Sequence, residues 1–303
     1  MPLRSLDLLD LPFLSPYRQD ELPLDSARLF TRGDPLGAAA MLSYLNPRRH
    51  IYTAVNDEDG TRLIGQITQR GDESAARLTF LAPAEQIRPL SGPLLDHLAA
   101  QAGDWGAFHL LAEVDESHPA FRSLRQAGFA MYAWQRVWKL PATQKESVPT
   151  WTETSETDLP AIQSLHNQIV PALLQPVDPA PHKAGGMVCK SKGELRAYVR
   201  VDAGPAGVWI LPLVPPDSDC APEQLNNLIS GWRDRPIYIC VRSYQAWLES
   251  VLEDLGAEAG PRQAVMVRRL AAIVKEPQAI SAMEKVLVKA KPAAPISRIE
   301  GEK

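Results

Sequence analysis

Cysteine is scarce in this sequence: Cys189, Cys220 and Cys240 are the only three among 303 residues, and no CxxC pair occurs. That excludes a zinc ribbon and a disulfide framework. Scattered thiols suit a reducing compartment, where buried cysteines act as small apolar groups. No apolar run reaches the roughly 18 residues needed to span a bilayer. The opening stretch is broken by Asp7 and Asp10 and lacks the layout of a secretory leader. A cytoplasmic protein with no membrane partner is therefore expected. Charge of one sign is lacking too: the net charge is −4, with acids and bases mixed along the chain. A nucleic-acid binder would show a basic face or domain, so no nucleic-acid partner is expected. The six histidines show no HxxxH or HxH spacing, so no metal is expected. GxSxG is missing as well, which leaves hydrolase chemistry without support.

What is present is a two-part α/β pattern. Apolar residues make up 45% of the chain, enough for a sizeable core. A short helix is predicted from Pro35 to Leu45. Two β-rich runs, Ile51 to Val55 and Leu63 to Ile67, flank the turn Asn56 to Gly60 and read as a hairpin. Ala76 to Ala82 reads as a further strand, and Leu94 to Ala102 as a helix with Leu94, Leu95, Leu98 and Ala102 on one face. Phe108 to Val114 is a buried strand, His118 to Ala127 a helix stopped by Gly128, and Phe129 to Leu140 a last strand. Such alternation implies a layered α/β fold with some parallel pairing. Tyr132, Trp134 and Trp138 share one face of that last strand and are expected to pack against the other half.

After a polar, proline-bounded stretch the pattern begins again. Asp158-Leu159-Pro160 repeats Asp10-Leu11-Pro12. The strands Val208 to Val214 and Ile237 to Val241 stand where Ala76 to Ala82 and Phe108 to Val114 stood, and Tyr244 to Leu255 stands for the helix before Gly128. The ends of the halves align without gaps at an offset of 128, with Leu124 on Leu252, Gly128 on Gly256, Gln135 on Gln263 and Val137 on Val265. This argues for an internal duplication. The expected organisation is a domain over residues 1–141, a linker over 142–150, a second domain over 151–272 and a partly helical tail over 273–303.

The Asp-Leu-Pro opening, the hairpin closed by Asp59-Gly60 and followed by Leu63-Ile64-Gly65, and Leu94-Leu95-x-x-Leu98 resemble the GNAT superfamily of N-acetyltransferases. So does the stretch from Val114 through His118-Pro119-Ala120 and Leu124 to Gly128-Phe129. The resemblance covers most of residues 1–140 and, more weakly, residues 207–270. It implies two tandem GNAT-like domains, each a mixed, mostly antiparallel sheet flanked by helices.

In that family the central strand splays from its neighbour and acetyl-CoA lies in the gap. Backbone N–H groups at the following glycine-rich loop and helix start hold its pyrophosphate. The resemblance thus implies acetyl-CoA bound in the N-terminal half only, by Leu81, Ala82, Gln86, Arg88, Ser91 and Gly92. Pro89 stands where the family has a glycine and removes one N–H donor; Ser91 stands for a second glycine. The corresponding loop of the second half, Pro215 to Glu223, has no glycine, and its acids would face a polyanion. The family's acid, a tyrosine four residues before Gly-Phe, is Leu124 in the first half and Leu252 in the second. Glu113, near the end of an otherwise apolar strand, is the candidate base, with a carboxyl pKa raised by burial. Two functions stay open. One is an N-acetyltransferase moving acetyl from acetyl-CoA to a small-molecule or peptide amine; the other is a non-catalytic GNAT-fold ligand-binding or protein-interaction module.

Overall fold

The computed structural model describes residues 3–6, 10, 14–36, 49–58, 60–71, 73–141, 151–216, 225, 228, 232 and 235–270. The side chains of residues 88–90 are also outside the description. The linker over 142–150, the tail over 273–303, most of the helix expected from Pro35 to Leu45 and most of the loop from Pro215 to Glu223 lie outside the described residues.

The hairpin forms longer than its β-rich core: β3 (Arg49–Glu58) and β4 (Thr61–Arg70) pair antiparallel, after β1 (Leu3–Leu6) and the short β2 (Leu22–Pro23). A helix, α1 (Ser26–Arg32), starts directly after β2, with the Asp25 side chain accepting a hydrogen bond from Arg28 N. Next come β5 (Ala75–Ala82), α2 (Ile87–Asp104), β6 (His109–Asp115), α3 (Ala120–Gln126) and β7 (Ala130–Lys139). The second half repeats this order: β8 (Trp151–Glu153), α4 (Leu159–Ile169), β9 (Met187–Ser191), β10 (Glu194–Ala203), β11 (Val208–Leu213), β12 (Ile237–Arg242), α5 (Leu248–Asp254) and β13 (Glu258–Arg269). The expected helix stops are real. Gly128 and Gly256 follow α3 and α5 at φ 83° and 74°, a left-handed conformation that glycine adopts without penalty. No described helix is long and apolar enough to cross a membrane.

All thirteen described strands join one sheet, in the order β1-β3-β4-β5-β6-β13-β7-β12-β11-β10-β9-β8, with β2 attached to β5. The order reads the same from both ends once each first-half strand is matched to its repeat. Its centre is the antiparallel pair β13 and β7. Each half thus places its last strand against the other half's sheet: β13 pairs with β6, and β7 with β12. The core confirms the exchange. Ala264 and Met266 of β13 are buried among Leu94, Leu98, Leu110 and Leu124, while Trp138 of β7 is buried among Ile210, Ile239, Leu248 and Leu252. The pseudo-twofold axis passes between Gln135 and Gln263, which face each other across the two strands. The Gln135 Nε2 donates to Gln263 Oε1 at 2.8 Å. These are the two residues that the offset of 128 aligns.

The sheet curls enough to bring its flanks together. Arg70 on β4 reaches Asp202 on β10 at 2.9 Å, although six strands separate β4 from β10 in the sheet order. Helix α1 sits within this curl. Phe30 stacks on Trp209 and Tyr238, and Ala206 N donates to Thr31 O. Gly204 makes the approach possible, since a Cβ there would fall 2.1 Å from Thr31 O.

Candidate functional site

A parallel pair that diverges leaves unpaired backbone groups on both inner edges, and such groups need partners. Two such wedges exist. Strands β5 and β6 pair only at Ala75, Ala76 and Arg77 opposite His109, Leu110 and Leu111, then separate. Strands β11 and β12 pair only from Val208 to Ile210 opposite Ile237 to Ile239.

The first wedge is filled by the chain itself. Leu22 and Pro23 pair antiparallel with Leu81 and Phe80 on the side of β5 away from β4. Leu24 N donates to Thr79 O at 2.9 Å, and Glu113 N donates to Leu24 O at 2.8 Å, so residues 22–24 bridge β5 and β6. The Leu24 side chain is buried in the core, and Ala84 N donates to Asp20 O where β5 ends. The residues expected to hold acetyl-CoA do lie on one strand–turn–helix. Leu81 and Ala82 are fully buried on β5, and Ser91 is buried in the first turns of α2. Gln86 and Gly92 are half-buried at the turn and the helix, and Gln86 makes no side-chain capping bond. The Arg88 side chain is outside the description.

In the second wedge the bridge among the described residues is one side chain. Gln245, in the turn after β12, is 1% exposed. Its Oε1 accepts from Val214 N at 3.0 Å and its Nε2 donates to Pro212 O at 2.8 Å. One amide thus satisfies both a donor and an acceptor at the end of β11.

Glu113 departs from the sequence expectation. It is 4% exposed, and its Oε2 accepts a hydrogen bond from Ser26 N at 2.9 Å. Its Oε1 lies 3.9 Å from Arg77 and 3.7 Å from Arg242. Burial alone would raise its pKa; the Arg242 and Arg77 guanidiniums and the Ser26 bond outweigh that and hold the carboxyl below its ordinary value. The raised pKa expected from an apolar strand is therefore corrected: the apolar neighbours in sequence are not the neighbours in space. Around Glu113 runs a polar seam linking both halves. Ser26 Oγ donates to Gln263 Oε1, and Cys240 Sγ donates to Gln135 Oε1. Arg242 stands 5.9 Å over the Tyr132 ring. Desolvation pushes the Tyr132 phenol up to about 12 and the Cys240 thiol up to about 12, so neither is a ready proton donor or nucleophile. Leu124 and Leu252 are fully buried in the two cores. Of the expected aromatic face, Trp138 packs in the second-half core, whereas Trp134 stacks on Phe121 and under Arg262.

Sequence reasoning missed Arg77, Arg242, Ser26 and Gln245. Arg77 lies inside the apolar strand β5 and Arg242 ends the apolar strand β12, a pattern that signals a buried ionic partner. The other two carry no local signal.

No protein-family model matches the sequence, and no curated protein matches it. Solved structures do match in shape. A GCN5-related N-acetyltransferase from Sphaerobacter thermophilus aligns at a TM-score of 0.52 and 12% identity, over 88% of this chain and 95% of that one. A tandem GNAT protein from the clavulanic acid biosynthesis pathway, solved without acetyl-CoA, aligns at a TM-score of 0.52 and 14% identity, over 88% of this chain and 98% of that one. At such identities the likeness speaks to the fold, and the palindromic strand order with two splayed parallel pairs agrees with it: this chain has a tandem GNAT-like fold.

Proposed function

We propose that this chain is a non-catalytic descendant of the acetyltransferase fold, a GNAT-fold binding module whose two wedges are closed by its own residues. One observation carries the reading: residues 22–24 take the backbone hydrogen bonds of β5 and β6 inside the gap where the fold's resemblance would seat acetyl-CoA. A ligand entering there must first displace a buried leucine and its paired backbone. Glu113, held ionised between two arginines, is poorly suited to take a proton from an amine, and the hydrocarbon side chains of Leu124 and Leu252 have none to give. Buried thiols at Cys189 and Cys240 suit the reducing cytoplasm, where we place the protein.

A second reading has one observation in its favour. The strand–turn–helix corner from Leu81 to Gly92 is intact, with Gln86 and Gly92 at its surface. In that reading the segment before α1 withdraws, acetyl-CoA enters the first half, and an amine, small molecule or peptide, accepts the acetyl group.

Thermal melting with and without acetyl-CoA at about 1 mM separates the two. A ligand binding the native state with Kd near 10 μM adds about 2.7 kcal/mol at that concentration. For a chain of this size that is a rise of roughly 4–5 °C. The module reading expects no rise and no heat of binding by calorimetry; a rise of that size would establish the second reading.

A further inference from the structure

The curl of the sheet leaves an open cleft of about 530 Å³, its mouth included, between α1, the far end of β4, the start of β5 and the far end of β10. Five arginines line it: Arg28 and Arg32 from α1, Arg70 and Arg77 from β4 and β5, and Arg200 from β10. The carboxylates lining it are Asp25, Glu73 and Asp202. Five positive charges against three negative leave a net +2. The Glu113 and Arg242 pair behind Arg77 adds one charge of each sign and does not change the balance.

The carboxylates are also shared or occupied. Asp202 serves Arg70 at 2.9 Å and Arg200 at 3.7 Å. Glu73 lies 3.8 Å from Arg70, a loose contact, and Asp25 caps α1 through Arg28 N. Arg32 has no ion-pair partner among the described residues. Guanidinium groups carry five donors each and no acceptor, so the cleft offers far more donors than its own oxygens accept. Helix α1 closes the cleft from one side, while both halves of the chain contribute its walls.

We propose that this cleft binds a small phosphorylated molecule through its phosphate. A phosphate monoester carries close to two negative charges near neutral pH on three oxygens set on one atom. That matches a net +2 converging on one place, and planar guanidinium forks meet such oxygens in pairs. Arg32, half-buried at the mouth, supplies donors with no ion pair among the described residues, and Arg200, also half-buried, holds Asp202 only at 3.7 Å; Arg70 and Arg77 hold the wall. The proposal does not rest on the state of the wedges, which acetyl-CoA reads and orthophosphate does not.

The test is calorimetric titration of the full chain with orthophosphate and with glycerol 3-phosphate at fixed ionic strength near 0.15 M, where weak surface pairing is screened. Succinate serves as the dicarboxylate control. Binding of both phosphates with Kd below about 1 mM is expected, weakened roughly tenfold or more in Arg32→Gln and in Arg200→Gln. Arg32→Lys keeps the charge, loses the fork and should also bind more weakly. If Arg200→Gln fails to fold through loss of the Asp202 contact, the Arg32 variants decide alone, because Arg32 makes no ion pair among the described residues. The proposal is overturned by an absence of binding for both phosphates at about 10 mM, by affinity unchanged in the Arg32 variants, or by succinate binding as tightly as phosphate.

Discussion

Removing the charge of Glu113 perturbs a buried carboxylate that joins the halves. Glu113→Gln preserves size and leaves an oxygen for Ser26 N, but it takes away the one carboxylate shared by Arg77 and Arg242. Arg242 is 5% exposed, so its charge is left in the interior with little water to solvate it. Breaking a buried pair by deleting one partner costs about 3–5 kcal/mol. Distances of 3.7 and 3.9 Å are long for charge-assisted hydrogen bonds and favour the lower end, about 3 kcal/mol. Urea unfolding of both proteins at pH 7, followed by circular dichroism, measures the difference. The pH dependence supplies an independent check. The folded pKa of Glu113 lies below its unfolded value, so its contribution is fully present above about pH 4.5 and disappears as pH falls through the folded pKa. The gap between wild type and variant should therefore narrow on acidification. A loss under about 1 kcal/mol at pH 7, comparable to an exposed ion pair, or a gap that widens in acid would refute the electrostatic account of this seam.

Gln245→Leu should destabilise by about 2–4 kcal/mol, since Val214 N and Pro212 O would each lose a buried partner; denaturant unfolding measures it, and a neutral variant would mean that water or another group reaches the second wedge. Gly204→Ala should cost about 1–3 kcal/mol or undock α1, because its Cβ would meet a backbone oxygen at 2.1 Å; limited proteolysis near Arg32 reads the undocking directly. Cys189 and Cys240 should resist a thiol reagent in the native protein and react on unfolding, as both are buried and the Cys240 thiol is pushed up to about 12. Glu21 should act in the opposite sense to Glu113. Desolvation and the charge of Asp34 raise its pKa to about 7, so its folded site is most favourable when protonated and loses stability as pH rises from about 4.5 through 7. Glu21→Gln should then be the more stable protein at pH 8, with the advantage fading toward pH 4.5 in melting curves.

Much of the element content follows from local pattern. Alternating β-rich runs around Gly60 can only form a hairpin, and the spacing of Leu94, Leu95 and Leu98 commits that stretch to a buried helix face. Gly128 and Gly256 mark helix ends because the required backbone conformation is local. The repeat, too, is visible in the chain, since Gln135 and Gln263 align at the offset of 128. The second-half hairpin of β9 and β10 carries little apolar periodicity and was not legible, nor were the short β2 and α1, whose conformations depend on the surfaces they touch. The end of β5 and the start of α2 were found as one corner, yet that corner is backed by buried Leu81, paired on both sides, and by buried Ala82, paired with Ile64.

The amino-acid sequence by itself determined the first-half hairpin, the strand–helix alternation that follows it and its doubling, because these rest on contacts between residues close along the chain. Only the tertiary structure decided which sheet each last strand joins. The two last strands carry like sequences, so their own half and the opposite half offer each of them similar edges, and local pattern cannot choose between them. The same holds for the wedges and for Glu113. Whether a gap stays open, or a carboxylate stays charged, depends on residues 22–24, Gln245, Arg77 and Arg242, which reach those places only through long-range packing.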